Sequence, residues 1–191
     1  MIEPATSSQV LEATPDDIRG ILDVQNSVLH TNNKELDRGF LWYPLDTEEL
    51  EEIIAHPESH ALMVAKEGKN VIGYFLGYDL DEWQKHKPDW FEALDVPADL
   101  KEKIKSQKVF YCRHIATANQ RSGIGSVLSQ SLQKVAKDRG YNMVLAEVMR
   151  KPIENVASIV HHLKQGCREV GSISYSDGTE WGVFIHDLKS E

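Results

Sequence analysis

Apolar and polar positions follow two periods along this chain, and the switches between them mark its elements. Val10-Leu11-Glu12-Ala13 reads as a short first strand. Thr14-Pro15-Asp16-Asp17 is a helix start, with Thr14 as N-cap, Pro15 at the first helical position and acids in the first turn. Ile18, Ile21, Leu22, Val24, Val28 and Leu29 carry a helical stripe to about residue 29. Residues 30–39 are polar and loop-like. A second helix starts at Thr47 and ends near Pro57. Residues 61–65 and 71–78 are apolar and bracket Glu67-Gly68-Lys69-Asn70, which predicts a β-hairpin.

Residues 80–107 break this rhythm. They are polar, helix-prone and contain Trp83, Trp90 and Phe91, so they predict a helical insertion between the third and fourth strands. Residues 108–117 are the fourth strand. Residues 126–139 form a patterned helix closed by Gly140, and 143–148 are the fifth strand. Residues 154–165 are helical and stop at Gly166. Residues 170–175 and 180–186 pair across Ser176-Asp177-Gly178-Thr179. Strand–helix–strand units in a chain rich in strands predict an α/β (α+β) three-layer domain over residues 1–191, with a mixed central sheet of about six or seven strands.

Composition narrows the class. The 191 residues hold 21 Lys+Arg against 30 Asp+Glu, a net charge of −9. Nucleic-acid binding needs a concentrated basic face, and anionic membranes attract basic ones, so neither partner is expected. No apolar run approaches the ~18 residues of a membrane span. Met1-Ile2-Glu3-Pro4 has no basic-then-apolar leader, and Cys112 and Cys167 are too few for a disulfide framework, which together predict a cytoplasmic protein. His56 and His60 have the i, i+4 spacing of metal ligands, but Pro57 interrupts the helix and no third ligand is near, so no metal is expected.

The chemistry concentrates at Ile115-Ala116-Thr117-Ala118-Asn119-Gln120-Arg121-Ser122-Gly123-Ile124-Gly125-Ser126. A strand here runs through a short glycine loop into a helix. Such a turn exposes backbone N–H groups at a helix N-terminus, where an anion is favoured, and glycines let a phosphate approach. A P-loop would need Lys after the last glycine, and a dinucleotide fingerprint would need a third glycine where Leu128 stands. A nucleotide-binding regulatory protein therefore does not fit.

The pattern that does fit is Gln/Arg-x-x-Gly-x-Gly/Ala, as Gln120-Arg121-Ser122-Gly123-Ile124-Gly125. It resembles the pyrophosphate loop of the GNAT superfamily of acyl-CoA-dependent N-acyltransferases. About 35 residues on, Asn155, Ser158, His162, Lys164, Gly166 and Cys167 resemble that superfamily's second motif, Asn-x-x-Ala/Ser-x-x-x-Tyr-x-Lys-x-Gly-Phe. On a helix, Val156, Ile159, Val160 and Leu163 form one stripe, expected to pack on the sheet. Asn155, Ser158 and His162 form a second, polar stripe, expected to face the cofactor. Cys167 stands where Phe is usual and His162 where Tyr is usual. The His, with Glu147-Val148 and Pro152 before it, is similar to a bacterial acetyltransferase subgroup.

The resemblance implies acetyl-CoA as co-substrate and a small-molecule or peptide amine as acceptor. It also implies fourth and fifth strands splayed apart around the pantetheine. Ile115, Ala116 and Thr117 would line the pantetheine. Gln120, Arg121, Ser122, Gly123, Ile124, Gly125 and Ser126 would hold the pyrophosphate, with Asn155, Ser158 and His162 along the cofactor edge. His162 falls at the general-acid position, where an ordinary imidazole is partly protonated at pH 7. Glu147 and His114 are the candidate bases. His161 is expected to face solvent, and Cys112 to be a buried strand residue rather than a nucleophile. Asp79 and Asp81 are candidates for holding a cationic acceptor, though a solvated strand end is the simpler reading. Trp83, Trp90 and Phe91 are expected to cover the acceptor or to support a homodimer contact, and could equally be satellite core. A non-catalytic acyl-CoA-binding module is the alternative function.

Overall fold

The structure is a computed structural model that describes residues 9–118 and 123–188. In chain order its elements are β1 (Gln9–Glu12), α1 (Ile18–Val28), α2 (Thr47–Ala55), β2 (His60–Glu67), β3 (Asn70–Asp79), α3 (Leu80–His86), α4 (Trp90–Ala93), β4 (Leu94–Asp95) and α5 (Ala98–Ser106). They continue with β5 (Val109–Thr117), α6 (Ile124–Asp138), β6 (Met143–Lys151), α7 (Val156–Lys164), β7 (Arg168–Ser174) and β8 (Glu180–Asp187). The strands join one mixed sheet in the order β1-β2-β3-β5-β6-β8-β7-β4.

Seven of these strands are the ones the hydrophobic pattern predicts, so the predicted fourth and fifth strands are β5 and β6. The eighth, β4, lies inside the helical insertion and pairs two residues with β7 at the sheet edge. Two residues are too few for any periodicity to reveal.

Alternation sends successive side chains of each strand to opposite faces. On one face, Tyr74, Leu76, Tyr78, Tyr111 and Leu145 meet α1, α2 and the insertion, including Ile21, Leu50, Trp90 and Ile104. On the other, Phe75, Phe110, Cys112, Val144 and Ala146 meet Leu128, Leu132 and Ala136 of α6. The sheet is thus the middle of three layers. The insertion belongs to the layer on the first face, and α6 to the layer on the other.

One feature of the sheet positions the site. β5 and β6 run parallel and pair only over Val109↔Met143, Phe110↔Val144, Tyr111↔Leu145 and Cys112↔Ala146. Both continue for several residues beyond this register, to Thr117 and Lys151. Past Cys112 and Ala146 the two strands diverge, and the backbone of Arg113 to Thr117 on its β6 side is left without a β6 partner. The first residues beyond the last pair are Arg113 and Glu147.

Candidate active site

A cavity of about 660 Å³ fills this divergence. Its walls include Arg113 to Thr117 of β5 and Ala146 to Met149 of β6. They also include Gly125 of α6, and Asn155, Ser158, His161 and His162 around α7. On the opposite side of the sheet it is lined by Glu49 of α2, Trp83, His86 and Lys87 of the insertion, and Tyr175. The cavity therefore runs through the gap between β5 and β6, from the layer of α6 and α7 to the layer of the insertion.

At the α6 end, Gly123 caps the helix with φ +93°, a left-handed conformation that glycine adopts without steric cost. The first helical bond in this turn runs from Val127 N–H to the Gly123 carbonyl, which leaves the N–H groups of Ile124, Gly125 and Ser126 ahead of it without a helical partner among the described residues. This is a ready anion cradle. Gln120, Arg121 and Ser122, expected to complete it, lie outside the described residues.

α7 is bolted to α6 by polar contacts that the sequence does not announce. Gln165 Nε2 donates to Ser126 Oγ at 3.0 Å, and Gln133 Nε2 to the Gln165 carbonyl at 3.2 Å. His161 Nε2 lies 2.7 Å from Ser129 Oγ. The expectation that His161 faces solvent is therefore corrected: it is partly buried, lines the cavity and braces α6. A Cβ added at Gly125 would stand 3.3 Å from His161 Cε1. We expect Gly125→Leu to push His161 off Ser129 as well as crowd the cradle. Titration calorimetry checks this, and acetyl-CoA affinity should fall at least tenfold.

The stripes of α7 are also reversed in part. Ile159 packs inward, but Val156, Val160 and Leu163 are exposed at 51%, 41% and 51%. The polar stripe is the buried one. Asn155 is 6% exposed and caps α7 by accepting Ser158 N–H at 3.2 Å, while its Nδ2 donates to the Phe40 carbonyl at 2.8 Å. It thereby holds residues 39–44 against the cavity mouth. Gly39 takes φ +100° here, a conformation that side-chain-bearing residues rarely adopt, while a Cβ there would only touch Ala157 at 3.5 Å.

The three candidate proton carriers differ sharply. His114 is 5% exposed, and the Tyr74 hydroxyl lies 3.1 Å from its Nδ1. Burial, with the Arg113 charge beside it, holds its pKa down to about 3 against a contribution from the Tyr43 backbone. A buried, neutral ring tied to Tyr74 suits bracing β3 against β5 better than carrying a proton.

His162 lies on the cavity wall with Nδ1 2.8 Å from the Ser158 carbonyl, so this nitrogen carries the proton and donates it. Burial pulls its pKa down to about 4. The ring is therefore chiefly neutral at pH 7. The sequence-based reading of a partly protonated acid at this position does not match the environment the fold supplies.

Glu147 is the opposite case. Burial raises its carboxyl pKa, against the hydrogen bonds it accepts from Trp90, Tyr175 and Tyr111. Trp90 Nε1 donates to Oε1 at 2.5 Å, and the Tyr175 hydroxyl to Oε2 at 2.8 Å. The carboxyl is thus fixed beside the point where β5 and β6 part. The insertion supplies Trp90, which is 1% exposed, and Trp83, which stacks on Tyr111 at 4.6 Å and 8°.

Of the remaining candidates, Asp79 caps α3 through Asp81 N–H and accepts the Tyr141 hydroxyl at 3.0 Å. Neither Asp79 nor Asp81 lines the cavity. Cys112 is buried, and that burial raises its thiol pKa strongly, which suits packing rather than nucleophilic attack. Among the described residues no cluster of His, Cys, Asp and Glu could hold a metal ion, and no helix is long and apolar enough to cross a membrane.

The sequence profile of the Acetyltransferase (GNAT) family matches residues 26–157. The chain belongs to this family. Solved GNAT-like structures share its fold at low identity. Ard1 of Thermoplasma volcanium superposes with a TM-score of 0.66 at 16% identity, covering 96% of this chain and 99% of that one. The yncA protein of Salmonella typhimurium, solved with its cofactor acetyl-CoA, gives 0.63 at 16%, covering 97% and 96%. The ribosomal-protein-S18-alanine N-acetyltransferase of Escherichia coli gives 0.63 at 12%, covering 97% and 96%. No curated relative matches the sequence. Within the family frame, β5 and β6 are the splayed strands, and α6 is the helix that follows the glycine loop.

Proposed function

We propose that this chain is an N-acetyltransferase that moves the acetyl group of acetyl-CoA directly to a primary amine while both are bound. The observation that carries the reading is the cavity passing between β5 and β6. It offers a phosphate-binding helix start on one layer and a carboxyl among aromatic rings on the other. A co-substrate and an acceptor bound from opposite layers would meet in the gap beside Glu147. The acetyl-CoA complex of the yncA protein and the amine-directed activity named for the ribosomal-protein enzyme support the same assignment.

The residues present fit acetyl-CoA. The N–H groups of Ile124, Gly125 and Ser126 at the start of α6 suit a pyrophosphate, and the edge of β5 that faces β6 without pairing at Ile115, Ala116 and Thr117 suits an extended amide-bearing chain. Ser158 and His162 line the same passage. Acetyl-CoA supplies an activated thioester when bound.

The acceptor amine attacks as the free base, and an N–C bond forms as the C–S bond breaks. The sulfur leaves with the bonding pair. One amine proton passes to Glu147, whose raised pKa brings it nearer the operating pH. His162, chiefly neutral, is not the proton donor in this reading: the thiolate takes its proton from water, and the proton held by Glu147 returns to solvent to neutralise the hydroxide left behind. A purely binding module would have no use for a carboxyl held at this point.

The cofactor half of the reading is tested by thermal unfolding. At 100 times its Kd, acetyl-CoA should stabilise the fold by about 2.7 kcal/mol. Absence of any shift at millimolar acetyl-CoA would reject it. The chemical half is tested by thiol release over a panel of amines.

A further inference from the structure

The net charge of −9 suggests a surface that welcomes cationic acceptors, but the acceptor side of the cavity has a different balance. Among the described residues, the Lys and Arg side chains lining the cavity are Arg38, Lys87 and Arg113, and the carboxylates are Glu49 and Glu147. Arg113 is committed to Glu49 and to the Tyr78 hydroxyl. Arg38 pairs with Glu35 at 3.0 Å. Two charged groups remain for a ligand: Glu147 and Lys87.

These two flank one side chain. The Tyr175 hydroxyl donates to Glu147, while the Lys87 ammonium lies over the face of the same ring, 5.4 Å from its centroid. Lys87 forms no ion pair or side-chain hydrogen bond among the described residues. Asp177, the other carboxylate near it, is already engaged: Oδ1 accepts Thr179 N–H and hydroxyl, and Oδ2 accepts the Tyr43 hydroxyl. Lys87 is therefore an exposed cation at the cavity rim, held over an aromatic face and separated by one phenol ring from the carboxyl that would receive the amine proton. The walls between are the rings of Trp83, Tyr111 and Tyr175.

Resting on the acetyltransferase reading above, we propose that the acceptor is a small amino acid with an apolar or aromatic body. Its amine points to Glu147 and its carboxylate pairs with Lys87. A simple polyamine would meet Lys87 as a like charge. A zwitterion satisfies both groups and fills the aromatic space between them. Lys87 is then a specificity-determining residue, selecting the acceptor without touching the transferred acetyl group.

The test is thiol release from acetyl-CoA with the twenty L-amino acids, each compared with its methyl ester and its decarboxylated amine. The preferred amino acid should exceed its ester and amine in kcat/KM by roughly two- to fivefold, the range of an ion pair to a solvent-exposed lysine. Lys87→Met should raise the KM for that amino acid with kcat little changed, and should abolish its advantage over the ester. Lys87→Arg should restore the advantage. Equal use of acid, ester and amine overturns the proposal, as does discrimination that survives Lys87→Met. Stabilisation by acetyl-CoA with no thiol release from any amino acid overturns the acceptor class and leaves the cofactor reading standing. No stabilisation at all defeats the underlying reading instead.

Discussion

Replacing Glu147 by Gln is expected to lower kcat by about 10²- to 10⁴-fold, the usual contribution of a positioned general base, while acetyl-CoA affinity is unchanged. Gln keeps the volume and an acceptor oxygen for Trp90 or Tyr175, so the loss reports on the proton and not on collapse of the cavity. The pH dependence has a definite sign. The base works ionised, and burial raises its pKa, so activity should climb with pH through a midpoint above the ordinary glutamate value of about 4.3. That acidic limb should vanish in Glu147→Gln. His162, held down to about 4, should add no limb between pH 6 and 7. Steady-state rates across pH for both proteins decide the matter. A variant with wild-type kcat would remove Glu147 from the mechanism.

Trp90→Ala should give the largest loss of stability, about 3–5 kcal/mol, because it empties a fully enclosed site under the insertion. For a chain of this size each kcal/mol lowers the thermal midpoint by roughly 2–4 °C. Trp90→Phe separates packing from chemistry. It keeps most of the volume but removes the indole N–H that Glu147 accepts. That bond favours the ionised carboxyl, so losing it should move the acidic limb of the rate profile to higher pH with a smaller loss of stability. Calorimetry and the rate profile together distinguish the two effects. A limb that stays in place would mean that Trp90 supports the cavity only by packing.

Much of this architecture is legible in periodicity. Strand alternation and helix stripes locate seven strands and the main helices, because burying one face forces those periods wherever an element is long enough to show them. The two-residue β4 escapes for the same reason. The glycine loop is visible too, since a backbone that must turn and still admit an anion leaves glycines at fixed spacing. α7 shows the limit. Val156, Val160 and Leu163 have the spacing of a buried stripe and are exposed. Asn155, Ser158 and His162, the polar stripe expected to face the cofactor, line the cavity, because the helix packs beside a cavity rather than over the closed sheet.

The linear order of residues determined the layered fold, the family likeness and the short list of titratable groups. Tertiary structure alone decided what those groups can do. His114 and His162 start from the same intrinsic pKa as any histidine, and Glu147 from that of any glutamate. Burial in the fold sets their protonation, modulated by neighbours: the Arg113 charge and the Tyr43 backbone for His114, the Ser158 carbonyl one helical turn back for His162, and Trp90, Tyr175 and Tyr111 from distant segments for Glu147. A charge's free energy depends on its surroundings in three dimensions, and many of those surroundings lie dozens of residues away along the chain.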